Sequence, residues 1–150
     1  MPLKGSSRIR WGRVVVAAVL SEVAVVAVLI AITTTYRFLI APGGTAVDYD
    51  AFSDLASYYV APAAAGLAVF FGALRVGRKL SSDFRANGAL VGVAAVVLTG
   101  GLFFAVKPEN RLMYGVSYVL RILGGYLGGV VAQRVYSGRP ASLSTLGEAG

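Results

Sequence analysis

Residues 112–135 read LMYGVSYVLRILGGYLGGVVAQRV, an apolar run interrupted halfway along by one arginine, Arg121. A helix rises 1.5 Å per residue, so about 20 such residues cross the ~30 Å hydrocarbon layer of a bilayer. A guanidinium carried to the middle of such a segment needs a counter-charge or water. The stretch therefore sets two questions: how many other segments span, and which of them supplies the partner.

Composition answers the first. The 150 residues are 57% apolar and only 14% charged, far from the balance of an ordinary soluble domain. The charges are segregated, leaving three further segments, about 14–35, 55–74 and 88–106, nearly free of them. A soluble domain of this size could not bury four such segments.

Residues 1–13 make a basic start with Lys4, Arg8, Arg10 and Arg13, and Trp11 stands where an interfacial aromatic belongs. The first span is longer than a signal-peptide core and no A-x-A-like site follows it, so it reads as an uncleaved signal anchor. Its valines would favour a strand in water, but lipid offers no partner for an isolated strand and selects helix. Thr33, Thr34 and Thr35 lead to the interface at Tyr36, and Arg37 marks the far side.

Residues 38–54 form the longest expected connection. It holds an apolar interfacial segment at 38–40, a turn at Pro42, Gly43 and Gly44, and the carboxylates Asp48, Asp50 and Asp54. Ser53 or Asp54 is expected to cap the second span, and Pro62 to kink it without excluding it. A short basic connection, 77–86, precedes Asn87 as the expected cap of the third span, and Pro108 stops that span. The tail, 137–150, is small and polar, and its composition predicts disorder.

Lys4, Arg8, Arg10, Arg13, Arg75, Arg78, Lys79, Arg85, Arg134 and Arg139 fall on one side, against Arg37, Lys107 and Arg111 on the other. The positive-inside rule then places both termini in the cytoplasm. The expected fold is an all-α integral membrane protein, a four-transmembrane-helix bundle of up-down-up-down course. Its membrane domain covers 14–136, in a cell membrane of the bacterial inner-membrane type.

Membrane helices associate through small residues and polar contacts. Each span carries a stripe at 4-3-4 spacing: Ala17, Ser21, Ala24 and Val28; Ala61, Ala65, Ala68 and Gly72; Gly88, Gly92, Ala95 and Thr99; Ser117, Arg121, Gly124 and Gly128. In the last span Gly124 with Gly128, and Gly125 with Gly129, form two overlapping GxxxG pairs. These read as a packing surface within one chain, with a homodimer seam as the alternative.

The counter-charge question has one strong answer. Glu22 is the only carboxylate inside a span, nine residues in from Arg13, and Arg121 is nine residues in from Leu112 at the opposite surface. Both lie about 13–14 Å deep, near the midplane. Alone, each would cost roughly 2.5–3.5 kcal/mol on insertion scales. The expectation is a Glu22–Arg121 pair tying the first helix to the last, with Ser21, Ser117, Tyr118 and Tyr126 as supporting polar residues.

With no cysteine and no histidine, disulfides, thiolate sites, and the commonest metal ligand and general base are absent. No phosphate-binding loop, HExxH pattern or dinucleotide fingerprint occurs. Asp48, Asp50 and Asp54 read as a solvated acidic connection, not a cation site, and Ser21 and Ser117 lack a histidine to activate them. The net charge of +7 is concentrated at helix ends, which suits anionic lipid head groups rather than nucleic acid.

A four-helix chain with a lone glutamate, Glu22, in its first helix resembles the small multidrug resistance transporters in that feature. The resemblance implies a proton- or cation-coupling carboxylate. The longer first outer connection and the membrane-embedded Arg121 depart from that pattern. The expectation from the residues themselves is a non-enzymatic structural or accessory subunit without cofactor or metal. Its partners would be lipid and either a second copy or another membrane protein. The alternative is a proton-coupled small-molecule or cation transporter using Glu22.

Overall fold

A computed structural model of the chain describes residues 9–80, 82–105 and 111–137. It is an all-α bundle of four helices: α1 (Trp11–Thr35), α2 (Ala46–Gly77), α3 (Phe84–Ala105) and α4 (Arg111–Tyr136). All four are long and apolar enough to cross a membrane. Lys4, Arg8, Lys107, the Pro108 helix stop, Arg139 and the tail from 138 lie outside the described residues.

The first connection is much shorter than expected. α1 runs on through a π-helical turn, Tyr36–Ile40, closed by the Ala41 amide donating to the Tyr36 carbonyl at 2.9 Å. α2 starts at Ala46, nine residues before the expected boundary at 55, leaving 41–45 as the turn. Its cap is Thr45, not Ser53 or Asp54. The Thr45 hydroxyl accepts from the Asp48 amide, and the Asp48 carboxylate accepts from the Thr45 amide at 2.9 Å, a reciprocal box that starts a helix in water. Gly43 supplies the left-handed step, φ 88°, that reverses the chain.

α3 likewise begins four residues early, at Phe84. Asn87 is therefore no cap. It is fully buried within the helix, where its amide donates to the Asp83 carbonyl and its Oδ1 accepts the Arg10 backbone N–H at 3.3 Å. The Arg13 guanidinium donates to the Lys79 carbonyl, and Arg85 Nε to Gln133 Oε1. These bonds gather the start of α1, the α2–α3 connection and the end of α4 at one end of the bundle.

The interior is made of small side chains. Val14, Ala17 and Ala18 of α1, Val69, Ala73 and Val76 of α2, and Val91 and Ala95 of α3 form its main cluster. Many of the larger apolar residues, among them Leu20, Ile30, Leu67, Phe71, Leu98 and Leu127, face outward. This distribution suits hydrocarbon surroundings, where burying a leucine gains little over leaving it in lipid. Of the expected α1 stripe, Ala17 and Ser21 are buried while Ala24 and Val28 are exposed.

α4 packs chiefly on α2 and α3, and α1 on the same two, so α1 and α4 stand at opposite corners. The two GxxxG pairs of α4 serve different neighbours. Gly124 and Gly128 lie against the Gly66 and Phe70 carbonyls of α2; Gly125 and Gly129 lie against the Gly88 and Phe84 carbonyls of α3. A Cβ at Gly129 would sit 2.5 Å from the Phe84 oxygen, against backbone that cannot swing aside. Gly115, by contrast, has open space around it. Gly125→Val and Gly129→Val are therefore expected to lower stability by about 1–3 kcal/mol or more, read as a lost monodisperse peak in mild detergent. Gly115→Val should leave that peak unchanged.

Candidate functional site

The centre of the bundle is occupied by charge. Arg121 of α4 reaches toward α1 and binds Glu22 through both ends of its fork: Nε donates to Oε1 at 2.8 Å and Nη2 to Oε2 at 2.9 Å. Nη1 donates to the Ser117 hydroxyl one turn earlier on the same helix. The pair thus bridges the two helices that otherwise barely touch. Bidentate, charge-assisted geometry of this kind satisfies both carboxylate oxygens at once.

Each neighbour has a reason in the sequence. Ser117 and Arg121 are four apart and so share a helix face. Tyr118 lies beside them with its ring centre 5.9 Å from the Arg121 guanidinium carbon, and its hydroxyl donates to the Thr99 carbonyl of α3 at 3.0 Å. Gly92 lets α3 lie directly on α4 at this level, since a Cβ there would come within 2.5 Å of the Arg121 carbonyl oxygen.

Two of the expected supporting residues stand apart. Ser21 is buried but turns to backbone, donating to the Ala17 and Ala68 carbonyls at 2.8 and 3.1 Å. It fixes α1 to α2 beside Gly72, whose missing side chain leaves room for the hydroxyl. Tyr126 is exposed, being five residues and so about 140° round the helix from Arg121. Thr99 was read only as part of a packing stripe; the signal for its role is that a tyrosine hydroxyl inside a membrane must find an acceptor.

The pair is enclosed unequally. The Arg121 side chain is 8% exposed and that of Glu22 20%. Glu22 lines a shallow cavity of about 390 Å³, open at the side between α1 and α3, with Val19, Val23, Val26, Leu98 and Thr99. Among the described residues no three histidine, cysteine or acidic side chains converge to hold a metal ion. Asp48 is engaged in the cap of α2. No protein-family model, curated protein or solved structure matches the chain.

Breaking a buried pair leaves the survivor uncompensated, at about 3–5 kcal/mol. Glu22→Gln and Arg121→Gln are each expected to cost stability of this order, Glu22→Gln the more because it abandons a guanidinium that stays charged. The reversed pair, Glu22→Arg with Arg121→Glu, should regain part of the loss. Folded yield and the midpoint of unfolding in mixed detergent measure all three, and no recovery in the reversed pair would count against charge pairing as the source of the stability.

Proposed function

We propose that this chain is a multi-pass protein of a bacterial-type cell membrane, with helices running alternately up and down and both termini cytoplasmic. In this reading it works without catalysis, as a small structural or accessory subunit. The observation that carries this is the closure of the central network on itself. Both oxygens of Glu22 are taken by Arg121, so this carboxylate between α1 and α4 serves helix order rather than a ligand, a well-attested use of buried polar pairs. The exposed cations Arg75, Arg78, Lys79, Arg85 and Arg134 support the orientation and offer contacts to anionic head groups.

One observation favours a second reading, a proton-coupled transporter of small molecules or cations. Glu22 is the partly exposed member of the pair and lines the side cavity, an arrangement that supports access to a coupling carboxylate.

A single comparison separates them. For an accessory subunit, a membrane protein co-purifies in mild detergent, and purified protein in proteoliposomes shows no pH-driven uptake. Glu22→Gln then lowers only the folded yield. Uptake or ligand binding that depends on pH and disappears in a folded Glu22→Gln variant would establish the transporter instead.

A further inference from the structure

Phe38, Leu39, Ile40 and Val47, at the turn between α1 and α2, are each at least two-thirds exposed. The turn that presents them is stapled. Tyr36 stacks on Phe52 with ring centres 3.7 Å apart and meets Tyr49 edge-on. The Tyr49 hydroxyl donates to the Ala41 carbonyl at 2.9 Å, and the Thr45–Asp48 box fixes the next residue pair. The aromatic rings that could have folded over the apolar tip are committed to holding it rigid.

Counted in helical rise, the tip reaches past the hydrocarbon layer on both helices. With Arg75 at the inner boundary of α2, about 20 residues of rise reach the outer edge of the hydrocarbon near Leu55. Val47 then stands about 12 Å farther out, whereas head groups add only about 5–8 Å per face. On α1, the same count from Arg13 ends near Thr33 and leaves Ile40 about 10 Å beyond. The flank is acidic: Asp48, Asp50 and Asp54 are exposed, while Arg37 lies over the Tyr49 ring at 5.2 Å and the Phe38 ring at 5.8 Å.

We propose that this tip is the docking surface for a partner membrane protein, received by an extramembrane apolar groove with a basic rim. The proposal rests on the accessory-subunit reading and names the surface that reading requires. Like charge disfavours tip-to-tip contact with a second copy and contact with anionic head groups.

The chain has no cysteine, so Leu39→Cys and Val47→Cys each carry a single thiol on an exposed side chain. The probe is a membrane-impermeant maleimide, with Leu112→Cys at the exposed outer end of α4 as reference. In membranes of the source cell, positions 39 and 47 are expected to label at least about ten-fold more slowly than in dilute proteoliposomes of zwitterionic lipid, as for a site open a tenth of the time or less. A molar salt wash, which screens the basic rim but not the apolar contact, should restore the rate only in part.

Equal labelling in both settings overturns the proposal, as does protection that the salt wash leaves wholly unchanged. Protection already present in dilute proteoliposomes overturns it in favour of lipid, and protection appearing only in crowded ones overturns it in favour of a second copy. If these fail while a protein still co-purifies with the Leu39→Asp, Ile40→Asp variant, the accessory reading stands with its contact elsewhere. If nothing co-purifies even with the unaltered chain, that reading fails itself.

Discussion

A guanidinium cannot rest in hydrocarbon without a counter-charge, and in this protein that constraint organises the bundle. Arg121 sits on α4 and Glu22 on α1, the two helices at opposite corners. For the side chains to meet, α2 and α3 must leave a path between them at mid-depth. Lysine would present a single point charge there; arginine gives two parallel bonds to the carboxylate and a third to Ser117, which fixes direction as well as distance.

The glycines follow from the same requirement. α2 and α3 are drawn tightly onto α4 because Gly124, Gly125, Gly128 and Gly129 allow backbone to approach backbone on two sides of one helix. Gly92 performs the same service from α3 beside Arg121 itself. Close approach gains dispersion contacts, which must replace the hydrophobic drive that lipid removes. It also holds Ser117 and Arg121 in an enclosed setting, where electrostatic attraction is stronger than in water. Small residues and the buried charge pair are therefore parts of one solution.

The spans and the central pair were legible in the sequence because lipid imposes few and severe rules. A charge at depth needs its opposite, and counting residues from each surface put Glu22 and Arg121 at the same level. The ends of helices were less legible. Residues 46–54 carry aspartates and a serine, which resemble a loop when only hydrocarbon-spanning length is counted. Yet the start of a helix in water follows the ordinary capping rules, by which Thr45 and Asp48 make a good start signal. Asn87 misled in the converse way: an amide that often caps a helix is here buried within one, holding the amide of Arg10. Tyr126 and Ala24 differed because sequence periodicity gives a face but not which neighbour occupies it.

Enclosure of the central pair is unequal, and this sets what each residue can do. Arg121 is walled by α3, Ser117 and Tyr118, so its position is fixed. Glu22 faces the side opening between α1 and α3, along which the C-terminal half of α1 buries little beyond Val25. The N-terminal end of α1 is tied more firmly, by Asn87 to Arg10 and by Arg13 to the Lys79 carbonyl. Any loosening of the bundle would therefore begin at the C-terminal end of α1 and extend as far as Glu22. The ion pair is the point at which that opening is stopped.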